Sequence, residues 1–294
     1  MRSSSLPSIV ERARPLLGTY VAIRVSGVPE SCAHGAIDAA FDQIALVHHR
    51  MSFHEAESDV SRLNENALRH AVQVHPRTYE VLRWAQQIAE ASHGWFDVTV
   101  ARHLVAWGVL PRPRSAYDPD PRASWRDIEL RRDGAVRFHR PTWIDLGGIA
   151  KGYAVDRAVE LLRASGVPQG CVNAGGDLRV FGPAAERVRL RTGSRVRGVV
   201  PVVDVENASI ASSGRARRPR SIATGPEPAF LVRRGGSLYR RRRADQDRAV
   251  TRPEQRAGLA PLPGDRVRRD RAPGLANPRC VTSCRRFVFH RRSA

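Results

Sequence analysis

The chain has 294 residues, 41% of them hydrophobic, with a formal net charge of +20 and four cysteines. It is long enough for one large domain or two small ones with a substantial core. No stretch approaches the ~18 apolar residues of a membrane span, and Cys32, Cys171, Cys280 and Cys284 have neither the spacing of a zinc site nor that of a secreted-type disulfide framework.

Residues 1–15 contain no apolar signal region and no lipobox-like cysteine, which gives an N-terminal segment without a secretory signal and an expected cytoplasmic location. Residues 19–25 alternate as a half-buried strand, and 32–49 read as a helix with Ile37, Phe41, Ile44 and Val47 on one face. At Met51 the chain turns polar, and the Ser58-Asp59 pair suggests a loop that restarts as a helix near Asp59. Residues 76–92 make a helix with a broad apolar face of Val81, Leu82, Trp84, Ala85 and Ile88, ended by Gly94. Trp95-Phe96-Asp97 follows. An aromatic pair beside a carboxylate either stacks and hydrogen-bonds a heteroaromatic ring or is core next to a helix N-cap aspartate. The proline-rich stretch 112–126 reads as a surface loop, and 127–130 and 135–139 as two short strands around an Asp133-Gly134 turn.

Residues 144–182 organise the rest. An apolar run ends in Asp145; Gly147 and Gly148 open a helix carrying Ile149, Tyr153, Val155, Val159 and Leu162; Gly166 and Pro168 close it. Cys171-Val172 then leads through Asn173-Ala-Gly-Gly-Asp177 into 178–181, so the predicted order is strand, glycine turn, helix, strand, glycine turn, strand. A glycine pair at a helix mouth leaves N–H groups and the positive helix end open to an anion such as phosphate, with Lys151 one turn in and Asp145 available to a ligand's polar edge or a metal. The same glycines also permit plain strand-helix packing with a solvated Lys151.

DLGGIAKGYAVD (145–156) and VNAGGDLRVFG (172–182) resemble the signature of the ApbE family, the FAD:protein FMN transferases. LLGTYVAIRV (16–25), MSFHEAESDVSRLN (51–64) and WFDVTVARHLVAWG (95–108) match it in order, and VVPVVDVENASIASSG extends the likeness to Gly214. The resemblance implies an α+β fold, a T-fold-like two-part α/β arrangement with a mixed, largely antiparallel sheet and helices packed on it, and FAD in the cleft between the parts. It implies FAD contacts at Leu17, His54, Trp95, Phe96, Asp97, Asp145 and Lys151, and a magnesium-facing carbonyl at Gly148. Taken alone, Leu17 reads as core and His54 as a surface histidine. The implied activity moves FMN from FAD to a threonine of a target flavoprotein, with AMP leaving and magnesium neutralising the pyrophosphate. No general base is identifiable.

The positive charge is concentrated after this region. Residues 215–294 hold 22 of the 49 Lys and Arg but 6 of the 29 Asp and Glu, a net of +16, against +4 for residues 1–214. This tail reads either as a disordered arginine-rich arm able to bind nucleic acid through phosphates or as a frameshifted C-terminus. Lys151 is the only lysine, as in a GC-rich gene, and 241–248 can be encoded so that a one-base shift gives Ala-Asp-Ala-Leu-Thr-Lys-Ile-Val, similar to the family's late metal motif. The expected organisation is 1–15, a flavin transferase domain at 16–214, and the tail at 215–294, with magnesium binding impaired and no stable nucleic-acid partner.

Overall fold

The computed structural model describes residues 9–189, 202–213 and 231–235. All of them belong to one compact unit, Met1–Ala249. Strands β1 (Ile9–Leu16) and β2 (Thr19–Ser26) pair over their whole length, from Ile9 opposite Ser26 to Leu16 opposite Thr19. The turn between them is Leu17-Gly18, both at positive φ (55° and 69°), as the hairpin turns that match strand twist require. Strand β1 begins inside the segment set apart from sequence as 1–15. It is an edge strand whose burial alternates, but its inward positions are held by Arg12 and Arg14 as well as Val10 and Leu16, so its residues lack the apolar alternation that marks a half-buried strand.

Helix α1 (Glu30–Met51) buries the four predicted apolar residues and adds Ala33, Ala36 and Ala40, whose small side chains let it lie close to its neighbours. Helix α2 (Asp59–Asn66) starts where the sequence places it, with the Ser58 hydroxyl accepting from the Ser61 N–H at 3.0 Å. After β3 (Val72–Gln73), helix α3 (Pro76–Ala91) begins on a proline and buries Val81, Leu82, Ala85 and Ile88. A short 3-10 turn (Val98–Val100) and α4 (Ala101–Ala106) precede β4 (Ile128–Leu130) and β5 (Ala135–Phe138), which flank the predicted turn with Gly134 at φ 83°.

Helix α5 (Ala150–Ala164), β6 (Gln169–Ala174) and β7 (Asp177–Phe181) follow as expected, then β8 (Glu186–Arg189), β9 (Val202–Val205), β10 (Ser209–Ser213) and β11 (Leu231–Gly235). Six strands form one sheet in the order β1-β2-β6-β7-β10-β11, and β3, β5 and β4 form a second. Every strand pairing among the described residues is antiparallel, in line with the largely antiparallel sheet expected. Helices α1 and α5 pack together, α1 also against β1 and α5 against β6 and β7, so Val21, Ile23, Val25, Val172 and Ala174 join them in one core. On the other face Cys171, Leu178, Val180 and Ile210 are covered by Val188, Val203 and Val205 of the β8–β9 ribbon.

Two further expectations change. The run ending in Asp145 is not a ladder strand; its backbone groups are taken by side chains and by one loop carbonyl, as described below. The tail, expected to lack strands, contributes β11, with Leu231 opposite Ser213; the rest of 215–294, with its arginine runs and Cys280 and Cys284, lies outside the described residues. Among the described residues no helix is long and apolar enough to cross a membrane.

Candidate functional site

Strand pairing brings the motif segments to one end of the large sheet. Val21 lies opposite Ala174, so turn 17–18 and turn 175–176 are neighbours. Gly175, at φ 61°, sits so close to Thr19 that a Cβ would lie 2.5 Å from its Oγ1; glycine is required there both by backbone conformation and by space. Helix α1 leaves the far end of β2 and runs back along the sheet: Arg12 pairs with Asp38 at 2.8 Å, and the Arg14 guanidinium lies 4.6 Å from the Phe41 ring centre. The 22 residues of α1, about 33 Å at 1.5 Å per residue, therefore return the chain to turn 17–18, where the loop carrying His54 begins. A hollow of about 310 Å³ lies there between Leu46, His49 and Arg50 of α1 and Glu55, Glu57 and Ser58 of the loop.

Helix α5 is aligned in the same sense. Near its C-terminus Arg163 lies over Phe181 at 5.5 Å, and in its middle Asp156 pairs with Arg179 at 2.7 Å. Phe181 is opposite Gly170, at the start of β6. The N-terminus of α5, with Gly147, Gly148 and Lys151, thus points to the end where β6 finishes at Ala174. Asp145 caps this approach, its Oδ1 accepting from the Gly147 N–H at 3.1 Å. The Asp145 N–H donates to the Val98 carbonyl at 2.8 Å, which sets the Trp95–Asp97 segment against it. Strand β10 leaves the sheet at this end too, because Ala211 is opposite Asp177.

The individual predicted residues differ in what they offer. Leu17 is half-buried and holds a left-handed backbone, φ 55°, which costs a non-glycine residue roughly 1–2 kcal/mol; such strain concentrates at functional positions. His54 is exposed, and Trp95, Asp145 and Lys151 are half-buried. Phe96 is 2% exposed and belongs to the core, so its ring does not stack a ligand, and only its backbone is available. The Asp97 carboxylate is also engaged: Oδ1 accepts from the Thr99 N–H and hydroxyl at 2.9 and 2.8 Å, and Oδ2 from the Trp125 N–H at 3.2 Å. It caps the 3-10 turn, the role that composition alone suggests for it. Sequence gave no hint of Trp125, whose indole Nε1 is buried without a hydrogen-bond partner among the described residues and lies near Gly94.

Gly148 is half-buried in the turn before α5. Among the described residues no group of three His, Cys, Asp or Glu side chains is placed to hold a metal ion. One carbonyl beside one carboxylate does not make a site for magnesium, which demands near-octahedral oxygen coordination, so the described donor set does not fit that ion.

A model of the ApbE family matches residues 17–225, eleven residues beyond the last sequence motif. The chain is 27% identical to an FAD:protein FMN transferase of Treponema pallidum over 234 residues, 70% of this chain and 65% of the relative. It is 27% identical to one of Haemophilus influenzae over 190 residues, 58% of this chain and 55% of that protein. It thus spans between half and two thirds of these relatives. Among solved structures, an ApbE protein of Thermotoga maritima superposes with a TM-score of 0.70 at 23% identity, covering 82% of this chain and 86% of the other. The flavin transferase ApbE of Vibrio cholerae gives 0.68 at 19% identity over 82% and 86%. With its motifs in order, its α+β fold shared and the family model matched over most of its length, the chain belongs to the ApbE family.

Proposed function

We propose that the chain transfers FMN from FAD to a threonine hydroxyl of a target flavoprotein, releasing AMP. The observation that supports this reading most is the meeting of turn 17–18, the loop of His54, the segment before Val98 and the glycine turn of α5 at one end of the sheet. The names of the relatives point the same way. In this reading the glycine turn and the positive end of the 15-residue helix α5 face the pyrophosphate, with Lys151 adding a cation. Asp145 accepts from the flavin's polar edge. Leu17, His54 and Trp95 line the ring sites, with the backbone of Phe96 and Asp97.

The acceptor oxygen forms a bond to the FMN-side phosphorus, the bond to the bridging oxygen breaks, and AMP departs with that oxygen as the hydroxyl gives up its proton. Positioning and neutralisation of charge dominate such a transfer. The residues described here supply the positioning, and no step is assigned to magnesium.

The test is AMP release from FAD with a threonine-containing acceptor peptide, with and without magnesium. This chain is compared with a version whose residues after Gly214 follow the frame shifted by one base. AMP formed in step with peptide-bound FMN supports the reading. FAD binding without AMP in either protein reduces it to flavin binding, and no FAD binding in either overturns it.

A further inference from the structure

Residues 141–149 present Asp145 and the glycine turn, yet they lie in no sheet. Their backbone groups still need partners, because a buried N–H or C=O left unpaired is costly. Asn64, in the last turn of α2, supplies two. The Asn64 side chain, 1% exposed, accepts from the Ile144 N–H through Oδ1 at 2.7 Å and donates from Nδ2 to the Ile144 carbonyl at 3.0 Å. A primary amide has one acceptor and one donor side by side, so it pairs with a single residue as a neighbouring strand would. The Asn64 carbonyl in turn accepts from the Tyr117 hydroxyl at 2.8 Å, and that hydroxyl also lies 3.2 Å from the Thr142 carbonyl. The Trp143 indole donates to Ser115 at 2.8 Å. The loop that reads from sequence as surface is thereby tied, through Tyr117 and Ser115, to the segment that carries Asp145.

We infer that Asn64 is a positioning residue for the ligand site, its amide replacing a sheet partner to fix the backbone of Ile144 and hence the direction of Asp145. Asparagine is demanded by the geometry. Aspartate of the same shape loses the donor and sets a carboxylate against the Ile144 carbonyl; leucine leaves both Ile144 groups unpaired. Asn64 touches no ligand in this account and acts only through Ile144 and Asp145. The assignment of a flavin ligand rests on the proposed transferase reading; the clamp itself does not.

The experiment is a double-mutant cycle on the full chain, with FAD affinity measured by flavin fluorescence below the unfolding temperature of every variant. Asn64→Asp weakens FAD binding by on the order of 10-fold or more, the scale of losing a hydrogen bond to a charged group. In the Asp145→Ala background the same change costs less than about threefold, because effects passing through one shared residue do not add. Tyr117→Phe, which removes one hydroxyl and keeps the ring, gives the same pattern with a smaller loss and serves if Asn64→Asp fails to fold. Equal losses in both backgrounds, or unchanged affinity, overturn the role. Hydrogen exchange of the Ile144 and Gly147 amides is read alongside. Faster exchange there in Asn64→Asp or Tyr117→Phe, with α1 unaffected, supports the clamp even if the parent protein binds no FAD, which would refute the transferase reading alone. Unchanged exchange refutes the clamp.

Discussion

Substituting Gly175 tests whether the two glycine-bearing turns are locked together at the end of the sheet that gathers the motif segments. Gly175→Ala forces an L-residue to φ 61°, at roughly 1–2 kcal/mol. It also puts a Cβ 2.5, 2.9 and 3.0 Å from Oγ1, Cγ2 and Cβ of Thr19. Rotating the threonine relieves the first two contacts, but its Cβ moves only with the backbone. The turns must therefore part by a few tenths of an ångström, an overpacking cost of about 1–3 kcal/mol. Together these give about 2–5 kcal/mol, or a fall in Tm of about 5–15 °C for a domain of this size. Thr19→Gly removes all three contacting atoms, so in that background only the conformational cost remains. Thermal and urea unfolding of the parent, both single variants and the double variant close the cycle, with an expected coupling of about 1–3 kcal/mol. Additivity within about 0.5 kcal/mol would refute the claim that turns 17–18 and 175–176 are in contact.

Two other predictions concern the frame. Asp156 is 1% exposed and joins α5 to β7 through Arg179, 15% exposed, at 2.7 Å; Asp156→Ala leaves a mostly buried guanidinium without this partner and lowers stability by about 3–5 kcal/mol in urea titration, whereas Asp156→Leu with Arg179→Met costs far less. A larger loss in the double variant than in the single one would show that the pair is not what binds the helix to the strand. Burial pushes the Cys171 thiol from its ordinary 9.0 up to about 12. Alkylation at pH 8 followed by peptide mapping should modify exposed Cys32 and spare Cys171 until the chain unfolds. Since the folded state keeps this proton where the unfolded chain has lost it, the unfolded chain binds fewer protons between pH 9 and about 12. Stability from this group is therefore full below pH 9 and declines as pH rises through that interval; rapid modification of Cys171 in folded protein would contradict its burial under the β8–β9 ribbon.

Much of the frame was legible in the residues. The apolar stripe of Ile37, Phe41, Ile44 and Val47, the Ser58 cap, the proline start of α3 and the glycines at 134, 147, 148, 166 and 176 are read from residues a few positions apart, so their effect is written locally. The ordered motifs carried the family and marked the segments of the candidate site. What the sequence could not show depends on partners distant in the chain. Strand β1 carries arginines at two of its four inward positions, which hides its alternation, and its pairing is set by β2. Phe96 and Asp97 have the composition of a ligand site, but their side chains are occupied by the core and by the turn they cap. The run before Asp145 looks like a strand because it is apolar, yet no strand lies beside it. Its hydrogen bonds go to Asn64, 80 residues earlier, and to the Val98 carbonyl, and only packing brings those groups within reach.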